Sequence, residues 1–360
     1  MKNDSTKQKS YGSTGWLNVA DIGCSSNFGA CTFNANTMFF FPGGSTYVSY
    51  DLDTRNVITY SGFPEHKYAG STVNDYQKGI LYYVGGFNRD DRPSNTIHSF
   101  DINTKTWSKL NNLDRKNTYS SAFLWENCIY IVGGEIYGIQ SDKVWKYDLG
   151  ITNNNNFIQT KLTLPYGISK MCGEIRDDKI YLFCGETLTG LNNKLIVLDL
   201  KNEQTTDYDL NIELSRYGSY SCSDGNNIFI CGGLKLSPYN YEYTHDVFSF
   251  DIEKFNDDVN AGNTVILKHF YSMPEGSYGG TAICIADNMY INMGYTWPGP
   301  SSNNNLIKIN IKNTLESLQL YISPYVSGDF YYNDNYNILK TIIGLSYQYY
   351  YDHRSCADPD

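Results

Sequence analysis

Three features of the 360-residue sequence predict an all-β fold closed into a ring of repeated four-stranded sheets, a β-propeller. A glycine pair or its remnant recurs at Gly43-Gly44, Gly85-Gly86, Gly133-Gly134, Cys184-Gly185, Gly232-Gly233, Met293-Gly294 and Ile343-Gly344, at offsets of 42, 48, 51, 48, 61 and 50 residues. An aromatic or aliphatic residue followed by Asp or Asn recurs behind each, at Tyr50-Asp51, Phe100-Asp101, Tyr147-Asp148, Leu198-Asp199, Phe250-Asp251, Ile309-Asn310 and Tyr351-Asp352. The composition, with 33 Tyr, 31 Gly and 18% charged residues, suits many short strands punctuated by turns. Self-similarity at a period near 50 residues means one stacked repeat rather than separate domains.

The clearest copy runs from Cys128 to Asp148. An apolar strand, Ile129 to Val132, meets Gly133 and Gly134; a polar loop follows, and a third strand closes on Val144, Trp145, Tyr147 and Asp148. Glycine is favoured at the pair because a residue without Cβ allows positive φ and close backbone approach. The Asp is free to hydrogen-bond into the turn behind it. A fourth strand then carries an aromatic or apolar residue, as at Tyr60, Trp107, Phe157, Tyr208, Tyr271 and Leu318 to Leu320.

This pattern resembles a kelch repeat, and the resemblance implies a kelch-type propeller. The marks assign seven blades of four antiparallel strands, approximately 28–60, 69–107, 119–162, 171–212, 218–271, 279–320, and 328–352 completed by 15–19, with six blades as the alternative. Trp16 precedes Phe28 by the same 12 residues that separate Trp107 from Tyr119, so the N-terminal strand is expected to be the fourth strand of the last blade. That closure removes exposed sheet edges. Residues 1–13 are expected to be disordered, 14–352 to form a single propeller domain and 353–360 to form a tail. Asn153–Asn156, Asn303–Asn305 and the insertion at 255–263 are expected as solvated inter-strand loops.

The net charge of −10 argues against a nucleic-acid partner, and no segment has the roughly 18 apolar residues of a membrane span. Nine cysteines cannot all pair within the chain. A cross-strand disulfide is geometrically conceivable for Cys222 with Cys231 or Cys172 with Cys184; the alternative is that these are small buried core residues. A single N-x-S/T sequon, at Asn3, favours a reducing, cytoplasmic setting, with secretion the alternative.

Catalytic motifs are missing. The five His show no metal-ligand spacing, and no nucleophile elbow, phosphate loop or deaminase signature occurs. Some kelch-fold proteins are enzymes, including galactose oxidase, but Tyr351-Asp352-His353 lacks the partners of its copper site. No catalytic residue, cofactor or metal is therefore nominated. In kelch adaptors a BTB domain precedes the propeller; with 15 residues before Trp16, an adaptor role here would need another subunit.

Surface loops remain. The loops joining strands two and three are long and share a face with those joining one blade to the next, because strand direction alternates. They carry Arg89, Arg92, Tyr137, Tyr239, Tyr241, Tyr243, His245, Tyr295 and Trp297, the residue types that anchor interfaces. The resemblance implies a protein-interaction module that holds a partner protein or peptide on this face. A glycan or small molecule at the mouth of the central channel is the alternative.

Overall fold

A computed structural model describes residues 15–24, 28–34, 36–65, 67–151, 156–236, 241–262, 264–296 and 301–312. Among these residues, six four-stranded antiparallel arrays surround a channel. Their inner strands are Ala30–Asn34, Ser71–Asp75, Ser121–Trp125, Cys172–Arg176, Tyr220–Ser223 and Thr281–Ile285. We number the blades one to six in that order. Strand order within each follows the chain outward, except that the outermost strand of blade six is Leu17–Asp21, from the N-terminal end.

Burial changes with position in the blade. Second strands such as Ile80–Val84, Cys128–Val132 and Lys179–Phe183 are buried at four consecutive residues, as expected of strands covered on both faces. Outer strands such as Val57–Ser61 and Thr106–Lys109 are mostly exposed. Each core lies between neighbouring blades: Val73, Tyr82 and Val84 of blade two pack with Ala122, Ile129 and Ile131 of blade three.

The glycine pair links one blade to the next. Gly134 donates its N–H to the carbonyl of Ile168 (2.9 Å), Gly86 to Asn117 (2.8 Å), Gly185 to Arg216 (2.8 Å) and Gly233 to Ser277 (2.7 Å). Gly133 has φ +60°, and a Cβ there would lie 2.5 Å from the Ile168 carbonyl oxygen. Glycine's lack of a side chain is thus what lets the next blade dock. The Asp marks behave as expected: Asp51, Asp101, Asp148 and Asp199 each accept backbone N–H groups from the following turn, at 2.7–3.1 Å.

A hydrogen-bonded belt runs around one mouth of the channel. The residues two or so before each inner strand are Phe28, Ala69, Tyr119, Lys170, Gly218 and Gly279, and all six have φ between +49° and +65°. Tyr119 donates to Ala69 (2.9 Å), Lys170 to Tyr119 (2.9 Å), Gly218 to Lys170 (3.1 Å), Gly279 to Gly218 (2.7 Å) and Phe28 to Gly279 (3.0 Å). The last bond joins blade six directly to blade one. Ile283, Tyr290 and Leu306 of blade six share a core with Met38, Phe40 and Tyr50 of blade one.

Several sequence expectations are corrected here. The N-terminal strand pairs with Ser301–Asn310, whereas the unit expected at 328–352 lies outside the described residues. Six blades are seen among the described residues, with Phe28 of the first bonded to Gly279 of the sixth. The Trp16 spacing correctly places that strand in the blade preceding blade one, and Trp16 is buried, but spacing cannot say which repeat that blade is. Leu318 to Leu320, expected as the outer strand of blade six, also lie outside the described residues.

Asn303–Asn305 belong to the strand Ser301–Asn310, where Asn303 pairs with Gly294 on one side and Asn305 with Asp21 on the other. The stretch expected as a loop at 255–263 is largely the helix Ile252–Asn260, started by Asp251, whose carboxylate accepts the Lys254 N–H (2.9 Å). Its Phe255 packs into the core between blades four and five. Of Asn153–Asn156 only Asn156 is described, and it is buried.

Candidate partner-binding face and channel

Three loops between second and third strands fold back as small hairpins. They pair Glu135–Ile136 with Ile139–Gln140, Glu186–Thr187 with Gly190–Leu191, and Leu234–Leu236 with Tyr241–Tyr243, on blades three, four and five. The first is a two-residue turn with positive φ at Tyr137 (+51°) and Gly138 (+80°), which matches the twist of its short strands. These hairpins expose Tyr137 (71%), Ile139 (75%), Leu188 (88%), Leu236 (53%) and Tyr241 (56%). Five large apolar side chains therefore stand in solvent on three consecutive blades.

Beneath them the connections between blades form an aromatic floor around the belt. Phe28 meets Tyr119 edge-on (5.0 Å between centroids) and Tyr278 (5.9 Å). Its ring also lies against Gly218 and Gly279, where a Cβ would be 3.1 and 3.3 Å away, so Phe28 narrows this mouth of the channel. Phe87 stacks on Tyr68 (5.1 Å) and meets Tyr119 (5.7 Å), while Tyr278 contacts Tyr217, Tyr243 and Tyr295. Lys170 lies over Tyr119 and Tyr217 (4.9 and 5.2 Å) and is paired with Glu186. Burial pushes Tyr119 and Tyr217 above the ordinary phenol range, so both remain neutral donors at physiological pH. Tyr68, raised to about 12 by burial and by Asp91, donates to that carboxylate (2.8 Å).

The residues singled out from sequence divide into three groups. Arg89, Arg92, Tyr137, Tyr241 and His245 are presented to solvent, with the blade-two loop shaped by Asn88, whose side-chain oxygen accepts the Asp90 and Arg92 N–H groups (both 3.0 Å). Tyr243 and Tyr295 are half-buried and meet through Tyr278, at 5.4 and 5.3 Å from it. Tyr239 and Trp297 lie outside the described residues. Sequence reasoning missed Phe28, Tyr68, Tyr119, Lys170, Tyr217 and Tyr278. A signal was present: Tyr68, Tyr217 and Tyr278 each stand three residues before an inner strand.

The channel has a volume of about 750 Å³ and is lined by all six inner strands. Glu174 is its half-buried acid. Burial raises its pKa to about 7, against the opposing effect of the Ser221 hydroxyl, which donates to it at 2.9 Å. Asn74 donates to the Cys31 carbonyl (3.3 Å) and the Tyr76 hydroxyl (3.2 Å). Among the described residues no three His, Cys, Asp or Glu side chains gather as metal ligands, and no helix is long and apolar enough to cross a membrane.

Radially arranged four-stranded blades around a channel define the class of protein, a β-propeller. A family model for the kelch motif matches residues 76–113, which span the second, third and fourth strands of blade two. The chain is also similar to the kelch repeat protein M-T8 of Myxoma virus (strain Lausanne), at 31% identity over 83 residues. That match covers 22% of this chain and 15% of the viral protein. Among solved structures it is similar to one described as "Structure of YjhT", with TM-score 0.64 and 15% identity, covering 78% of this chain and 94% of that one; at this identity the likeness concerns the fold. The matches thus support a kelch repeat within this propeller, at residues 76–113.

Proposed function

We propose that this propeller is a protein-interaction module that docks a partner protein or peptide on the face formed by the loops between second and third strands. Kelch-repeat propellers generally serve as protein-interaction domains. The observation that carries the assignment of the face is the row of exposed apolar residues on the hairpins of blades three to five: Tyr137, Ile139, Leu188, Leu236 and Tyr241. Grouped exposed apolar side chains mark interaction surfaces, whereas scattered single ones are ordinary. Arg89, Arg92 and His245 supply a polar rim, and the Tyr243, Tyr278 and Tyr295 floor supplies large area at low conformational cost. A protein surface is favoured over a glycan in the channel because the exposed apolar residues stand on the hairpins and not among the residues that line the channel.

Affinity capture with the immobilised full chain tests the proposal. The parent and an Ile158→Glu control, altered at an exposed outer-strand position, should retain the same partner. The triple substitution Ile139→Glu, Leu188→Glu, Leu236→Glu should lose it while melting within a few degrees of the parent. Retention by the folded triple variant would overturn the assignment.

A further inference from the structure

Among the described residues eight cysteines are free thiols, and four of them, Cys31, Cys172, Cys222 and Cys284, line the channel. Cys222 on the inner strand of blade five and Cys284 on the inner strand of blade six meet with their sulfurs 3.3 Å apart, across 62 positions of sequence. We propose that Cys222 and Cys284 form an oxidation site, converted by a small peroxide into a disulfide that joins blades five and six from within the channel.

The surrounding structure favours this pair over a Cys222–Cys231 link and over a bridge from Cys31. A disulfide has a sulfur separation of about 2.05 Å, so the two atoms must approach by a little over 1 Å. Their strands already lie side by side: the Gly279 N–H donates to the Gly218 carbonyl (2.7 Å) at the belt, and both cysteines contact the same inter-blade core. Cys222 and Cys231, the pair considered from sequence, are not opposite one another. Cys222 faces Phe229 across the strand pair, and Cys231 faces Tyr220. Cys31 is engaged elsewhere, its thiol donating to the Ala282 carbonyl (3.4 Å).

The chemistry balances with peroxide as the only co-reactant. One sulfur, as thiolate, attacks a peroxide oxygen; the O–O bond breaks, leaving a sulfenic acid and one water. The second sulfur then attacks the sulfenic sulfur, the S–O bond breaks and a second water leaves. Two thiols lose two electrons, the two peroxide oxygens gain them, and the thiol protons end in water. Burial first, with the neighbouring Cys284 sulfur and the charge of Glu174 adding to it, holds the Cys222 thiol well above its ordinary range. Reaction is therefore slow and restricted to an oxidant small enough to enter the channel.

Peptide mapping of the full chain under non-reducing conditions tests this, after hydrogen peroxide treatment and alkylation of remaining thiols. The expected result is a linked peptide pair containing Cys222 and Cys284, reversed by dithiothreitol, with a melting temperature raised by about 5–10 °C. Cys284→Ser should abolish both effects and Cys128→Ser neither. If Cys284→Ser fails to fold, the parent peptide map alone decides. Alkylation or overoxidation of both cysteines without a link, or a Cys172–Cys184 link in its place, would overturn the proposal.

Discussion

The backbone N–H of Phe28 donates to the carbonyl of Gly279 at 3.0 Å, and this bond joins the first blade to the sixth. The same residue places an aromatic ring against Tyr119 and Tyr278, so one side chain is shared between ring closure and the floor of the candidate binding face. Ring closure and the aromatic floor are thereby coupled through Phe28.

The N-terminal strand should be essential to stability. Trp16 is 1% exposed, donates its indole N–H to the Ser272 carbonyl (2.8 Å) and packs against the core between blades five and six. Trp16→Ala should cost about 3–5 kcal/mol in denaturant unfolding, from the lost contacts and the cavity left behind. Deletion of residues 1–21 should cost more, because it also exposes the edge of Ser301–Asn310. Unchanged unfolding midpoints would show that this strand does not hold the ring closed.

The glycine pair should be sensitive position by position. Gly133→Ala places a methyl group 2.5 Å from the Ile168 carbonyl oxygen at φ +60°. Gly138→Ala places one at φ +80° in open space at a hairpin tip. Both incur the left-handed backbone cost of about 1 kcal/mol. Only Gly133→Ala should also disturb the junction with blade four, so its melting temperature should fall several degrees further. Equal losses would mean that the pair is selected for backbone conformation alone.

The repeat was legible in the sequence because its causes are local. A glycine where no Cβ fits, an Asp that caps the following turn and an apolar second strand each leave a mark at a fixed position. Blade number was harder to read. The Ile343-Gly344 mark lacks the first glycine, and the strand completing blade six comes from the opposite end of the chain, so its partner is set by geometry that spacing does not record. The aromatic floor was missed for a related reason: Phe28, Tyr119 and Tyr278 come from three blades and meet only at the channel axis. The Cys222 and Cys284 contact likewise joins separate blades, whereas sequence reasoning compared cysteines within one hairpin.

Stability should carry a pH signature from Glu174. Its folded-state pKa is about 7, above the ordinary 4.5, so between those values the folded chain keeps a proton that the unfolded chain has released. The Glu174 contribution is fully present below pH 4.5 and is lost as pH rises through 7, by up to about 3 kcal/mol. Channel water will reduce that figure. Glu174→Gln should therefore match the parent near pH 4 and exceed it in stability at pH 8. Parallel stability profiles across this range would contradict the desolvation of the acid.

Site-specific photo-crosslinking tests the central claim most directly. A photoreactive residue placed at Leu188, on the blade-four hairpin, should capture the partner identified by affinity capture; the same residue at Ile158, on the outer strand of blade three, should not. Both positions are exposed, at 88% and 49%, so accessibility alone does not separate them. Crosslinking from Leu188 and not from Ile158 is the result the account predicts. Crosslinking from Ile158 and not from Leu188 would place the partner on the rim of the disk and contradict it.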